Sequence, residues 1–114
     1  MCLAHGVDED KSNAMKMLTI ICRDTLEADV RRLLNELDVK GYTVASGLGG
    51  KGQTGSVSEH AWTDRNVSFM LAIEDQEVPP LADGVKQLYV KLIDANHGEE
   101  VPLKVFLQPC EVIL

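Results

Sequence analysis

The chain has 114 residues, of which 45% are hydrophobic, 25% charged and only 4% aromatic. That is single-domain length, sufficient to bury an aliphatic core without disulfides or metal. A net charge of −7, from 11 basic and 18 acidic residues, argues against a general nucleic-acid binder and against adhesion to anionic membranes.

Residues 1–14, MCLAHGVDEDKSNA, are polar, acidic and aperiodic. They read as an N-terminal tail, tag-derived or disordered, which leaves 15–114 as the domain. The three cysteines, Cys2, Cys22 and Cys110, are widely spaced and form no C-x-x-C pair. They read as reduced thiols of a cytoplasmic protein. No apolar run approaches the roughly 20 residues that span a bilayer, and the basic-then-apolar pattern of a secretion signal is not seen at the N-terminus.

Met17 to Cys22 is a short β-branched apolar run and predicts a buried strand. A helix is expected next, capped at Asp24 with Glu27 three residues on, and closed by Gly41. Leu26, Val30, Leu33, Leu34 and Leu37 share its apolar face. Tyr42–Ser46 and Val67–Ile73 predict two further strands. Glu77-Val78-Pro79-Pro80 predicts the approach to a second helix, with an apolar stripe at Leu81, Val85, Leu88 and Leu92, ending at Asn96-His97-Gly98. Leu103–Leu107 predicts a fourth strand, broken by Pro109, after which Cys110–Leu114 reads as a short C-terminal strand. The order βαββαβ predicts an α+β ferredoxin-like sandwich: an antiparallel sheet with two helices on one face.

Between the second and third strands lies GLGGKGQTG, Gly47 to Gly55. Its first six residues match G-x-G-x-x-G. A dinucleotide site also needs a helix opening at the glycines within a parallel βαβ unit. The residues immediately C-terminal, Gln53-Thr54-Gly55-Ser56-Val57-Ser58, have poor helix character. A P-loop fails as well, because Lys51 is followed by Gly52. The stretch 47–66 therefore reads as a long flexible loop joining adjacent strands. Physics alone leaves open whether its amides and Lys51 cradle an anion or whether it is a plain insertion.

The run Val39-Lys-Gly-Tyr-Thr-Val-Ala-Ser-Gly-Leu-Gly-Gly-Lys-Gly-Gln-Thr-Gly55 resembles the second strand and T-loop entry of PII-type signalling proteins, where G-[MY]-T-V leads into G-x-G-[RK]-x-x-G. The order of elements agrees, and Lys104-Val-Phe-Leu-Gln-Pro-Cys-Glu-Val-Ile113 is similar to the "VFPVEEVI" ending of PII-like branches. The resemblance implies a non-enzymatic homotrimeric regulator. It would bind an adenine nucleotide or another small effector in the cleft between subunits and signal through the T-loop to an enzyme or a membrane transporter. Gly47, Gly49, Lys51, Gly52, Gln53 and Gly55 would then lie near an effector phosphate. Separately, Trp62, the single tryptophan, sits in a polar loop and reads as a partner anchor, and Arg65 is the second candidate partner-binding residue. Typical members carry a lysine-containing, glycine-rich phosphate loop between helix 2 and strand 4. Here the stretch 95–103 holds Glu99 and Glu100 and no lysine.

His60, Asp64 and His97 are the candidate metal ligands, although their spacing matches no closed zinc pattern. CutA-type proteins share the trimeric fold and are linked to metals, so a metal-binding or metal-tolerance protein is the alternative expectation. No Ser-His-Asp arrangement or paired-carboxylate cleft is legible, and nothing in the sequence demands an enzyme.

Overall fold

Alternation of burial along the first strand decides how the chain is layered. In β1 (Ala14–Arg23), Leu18, Ile20 and Cys22 are buried, whereas Met17, Thr19 and Ile21 between them are only half-buried. One face of the strand therefore meets a covering layer and the other does not. The computed structural model describes residues 14–48 and 65–114. After β1 come a 3-10 turn (Asp24–Leu26), α1 (Glu27–Glu36), β2 (Thr43–Leu48), β3 (Asn66–Ile73), a second 3-10 turn (Asp75–Glu77), α2 (Val78–Ala95) and β4 (Leu103–Glu111). The strands form one sheet in the order β2-β3-β1-β4, every pairing antiparallel. This is the expected ferredoxin-like α+β sandwich.

Both helices cover the same face. Val30 and Leu34 of α1 and Leu81 and Val85 of α2 pack with Leu18, Ile20, Val67, Phe69 and Leu71 of the central strands. Phe69 is fully buried, and Tyr42 tilts against it with ring centroids 5.7 Å apart. The Arg31 guanidinium lies 5.7 Å from the same ring, donates to Glu27 Oε2 at 2.9 Å and reaches Tyr42 Oη at 3.5 Å. Its hydrogen bond to Glu27 is the main reason its pKa is raised. The result is a stitch from α1 to the start of β2.

The helix ends follow local chemistry that differs from the sequence expectation. The first turn after β1 is 3-10, with no side-chain cap at its start. Helix α1 stops at Glu36, well before Gly41. Asp38 takes the left-handed conformation, φ 57°, and Val39 N–H returns to the Leu34 carbonyl at 3.0 Å. Aspartate tolerates that region because its short polar side chain bonds locally, so Gly41 has no part in closing the helix. Helix α2 opens as expected, with proline in its first turn. Ahead of it, Glu74 N–H donates to Glu77 Oε1 at 2.7 Å.

β4 also departs from expectation. It runs through Pro109 to Glu111 without a break, paired with β1 from Cys22↔Leu103 to Ala14↔Glu111. β4 is an edge strand, and alternate N–H groups of an edge strand face no neighbour, a position proline fills without cost to the ladder. Cys110 therefore continues β4, and residues 112–114 lie outside any strand. At the other end, β1 begins at Ala14.

The packing can be tested at two positions. A Cβ added to Gly84 would lie 2.9 Å from Leu37 Cδ1 and 3.2 Å from Leu33 Cδ1. These are flexible side-chain tips, and alanine gains about 1 kcal/mol of helix propensity over glycine. Gly84→Ala should change urea stability by less than about 1 kcal/mol, whereas Gly84→Leu should lose about 1–3 kcal/mol by overpacking. The second position is Cys22, whose thiol is pushed from 9.0 up to about 11, first by burial and then by the charges of Glu27, Asp24 and Asp29. A raised acid pKa in the folded state means that stability is complete below pH 9 and falls as pH climbs toward 11. The loss should reach on the order of 2 kcal/mol in urea titrations at pH 8 and 10.5, and should vanish in Cys22→Ala.

Candidate functional site

The strand carrying the first glycine of the run is bent by register. Thr43, Val44 and Ala45 pair with Met70, Phe69 and Ser68, but Leu48 pairs with Asn66, so β2 holds one extra residue between Ala45 and Leu48. Gly47 sits in this bulge with φ 72°, and an added Cβ would meet nothing within 4 Å. Conformation rather than space demands glycine there, as in a bulge whose first residue is left-handed. β2 and β3 are antiparallel neighbours, so the strands that flank the glycines are not those of a parallel βαβ unit. The dinucleotide reading of the motif falls on that topology.

Two other segments meet the entry to β3 at this end of the sheet. Asp24 N–H donates to the Arg65 carbonyl at 2.7 Å, and Arg23 N–H to the Pro102 carbonyl at 3.2 Å. The end of β1, the entry to β3 and the approach to β4 are thereby clamped together. Two cationic residues come together in the ladder, with a third at the entry to β3. Arg23 pairs with Asn66 in the ladder, Lys104 sits on the neighbouring strand opposite Ile21, and exposed Arg65 precedes β3. Arg23 and Lys104 are diagonal neighbours on the face that the helices do not cover. Two neighbouring cations on one face of a chain of net charge −7 are an arrangement that attracts a small anion, while the carboxylates of Asp24, Glu27 and Asp29 act on the adjacent Cys22.

Lys104 is the residue that sequence reasoning misses. The stretch 95–103 holds no lysine, yet the next residue is one, and the ladder sets it beside Arg23. A boundary drawn before the fourth strand hides it. The acids Glu99 and Glu100 are exposed, and their backbone carbonyls accept from Asn96 Nδ2 at 3.3 and 3.2 Å.

The other sequence candidates divide as follows. Gly47 and Arg65 lie at the site. Gly49, Lys51, Gly52, Gln53, Gly55, Trp62, His60 and Asp64 fall outside the described residues. His97 is exposed at the end of α2, left-handed at φ 60°, followed by Gly98 at φ 81°, whose N–H returns to the Ile93 carbonyl at 2.9 Å. Its placement is that of a helix terminator. Among the described residues no group of three or more His, Cys, Asp or Glu is arranged to hold a metal. Cys22 is buried and Cys110 half-buried, both unbridged. Burial and the neighbouring carboxylates disfavour the Cys22 thiolate, the opposite of what a nucleophile requires. No helix among the described residues is long and apolar enough to cross a membrane.

Comparison with known proteins agrees with this fold. Residues 15–111 match the family model of nitrogen regulatory protein P-II. Among solved structures, the chain is similar to CPII, a nitrogen regulatory PII-like protein from Thiomonas intermedia K12, bound to ADP, AMP and bicarbonate. Identity is 25%, the TM-score 0.66, and the match covers 89% of this chain and 94% of that one. CPII bound to ADP and bicarbonate matches at 27% identity and TM-score 0.66, over 87% of this chain and 88% of the other. A PII-like signaling protein from Thermus thermophilus shares the fold at 15% identity and TM-score 0.53, over 89% of this chain and 90% of that one. A comparison with curated proteins gives no match. With the family model running from the second residue of β1 to the last residue of β4, the protein belongs to the nitrogen regulatory P-II family.

Proposed function

We propose that this chain is a non-enzymatic PII-like regulator that works as a homotrimer. An adenine nucleotide binds in the cleft between subunits, and the segment 47–66 transmits its presence to a protein partner such as a membrane transporter. The observation that carries the reading is the diagonal placement of Arg23 and Lys104 beside the strand end from which that segment leaves, in an otherwise acidic chain. Lys104 supplies the phosphate-binding cation, with Lys51 and the amides of Gly47, Gly49, Gly52, Gln53 and Gly55 completing the cradle. The ADP, AMP and bicarbonate held by CPII support this choice of effector and make bicarbonate a candidate co-ligand. Binding would order the segment, and Trp62 and Arg65 would present themselves to the partner.

Assembly is supported by the face of the sheet that the helices leave open. Met70 is 40% exposed and Phe106 52%. They flank Thr19 across the ladder, with Met17 and Ile21 on either side. A solvated antiparallel face is ordinarily polar, whereas an apolar patch of this kind marks an interface.

Calorimetric titration with ADP, AMP and ATP, each with and without bicarbonate, should show binding of at least one nucleotide. Lys104→Ala should weaken it about tenfold, the loss of about 1.4 kcal/mol. The emission of Trp62, the single tryptophan, should shift on binding. No heat with any nucleotide would end the effector assignment. Light scattering should give a trimer that Phe106→Asp dissociates, and a monomeric wild type would end the assembly assignment.

A further inference from the structure

The pair Arg23 and Lys104 is bordered by acids on the approach to β4. Between α2 and β4, residues 95–103 hold Glu99 and Glu100 and no lysine. Both acids are exposed. Their backbone is tied down. Asn96 Nδ2 donates to the Glu99 carbonyl at 3.3 Å and to the Glu100 carbonyl at 3.2 Å, and Glu99 N–H donates to the Asn96 carbonyl at 3.0 Å. Two residues after Glu100 comes Pro102, whose carbonyl accepts the Arg23 N–H at 3.2 Å. Two residues of chain span at most about 7 Å, so the Glu100 Cα lies within that distance of the Pro102 Cα. On the other side of Arg23, Asp24 is also exposed.

Cations with acids held beside them set a limit on the charge that an anion can bring. A phosphate monoester carries about two negative charges near pH 7, which Arg23 and Lys104 balance. Each further phosphoryl group adds negative charge that this pair does not match. The neighbouring carboxylates oppose that charge, and the opposition grows with the charge brought in. The clamp from Asn96 matters here, because it fixes the backbone from which both carboxylates project.

We propose that Glu99 and Glu100 are specificity-determining residues, which turn this site toward a nucleoside monophosphate and against a triphosphate. They act by repulsion: they weaken the binding of the longer anion rather than strengthen that of the shorter. The inference rests on the effector site proposed above and adds to it which adenine nucleotide the site selects, and through which residues.

The test is a titration of the full chain with AMP, ADP and ATP at low salt, with a chelator present so that no divalent cation masks the phosphate charge. It reads selectivity as a ratio of dissociation constants. Wild type should bind AMP about tenfold more tightly than ATP, with ADP between them. Glu99→Gln with Glu100→Gln should raise ATP affinity about tenfold and AMP affinity by no more than about threefold, which closes the ratio. Glu36→Gln with Asp83→Asn makes the same change of net charge at exposed positions, at the C-terminal end of α1 and in the N-terminal part of α2. That pair should leave the ratio within about twofold of wild type. Raising the salt from about 50 to about 500 mM should shrink the wild-type ratio, because screening weakens repulsion between solvated charges. ATP bound as tightly as AMP by wild type, a ratio unmoved by the glutamine pair or by salt, or a control pair that moves it equally would overturn the selectivity while leaving the effector site standing. No binding of any nucleotide would overturn both.

Discussion

Everything in this structure depends on the sheet having two faces and, among the described residues, one layer of helices. Two helices with narrow apolar stripes cover one side of four strands. Leu18, Ile20 and Cys22 of β1 and Val67, Phe69, Leu71 and Ile73 of β3 use up that cover. The alternate residues of the strands include Met17, Ile21, Met70 and Phe106, which face away from the helices. Strand alternation makes the two sets inseparable. A sequence that keeps apolar residues at both parities in its central strands needs a second covering layer, which another copy of the chain can supply.

The same topology accounts for where the chemistry gathers. In the order β2-β3-β1-β4, the chain leaves β1, enters β3 and approaches β4 at one end of the sheet. Backbone bonds from Asp24 to Arg65 and from Arg23 to Pro102 hold those crossings together. Cations distant in sequence become neighbours there without any helix dipole being recruited. The bulge at Gly47 lies at the same end. Clamped backbone and a left-handed glycine thereby fix where the chain leaves β2.

Much of this is legible in the sequence, and the misses have specific causes. The order of elements follows from period-2 runs and two apolar stripes, because burial on one face imposes those periods directly. Pro109 looks like a strand breaker in sequence because its tolerance depends on β4 lying at the sheet edge, which is a property of topology. Gly41 looks like the close of α1 because glycine is the commonest residue there, while Asp38 fills the position by local bonding. Lys104 escapes notice when a phosphate loop is sought before the fourth strand, and only the ladder shows that the second residue of β4 neighbours Arg23. The bulge at Gly47 needs the register of two strands and cannot be read from one. His60, Asp64, Trp62 and most of the glycine run lie outside the described residues.

The exposed edge of β4 adds a further constraint. A nine-residue edge strand with Val105, Phe106 and Leu107 exposed would invite indiscriminate pairing if left bare. Pro109 blunts its far half, since it offers no N–H to an incoming strand. The near half, from Leu103 to Leu107, carries no such block. The edge is thus closed to an added strand along its C-terminal half and open to one along its N-terminal half.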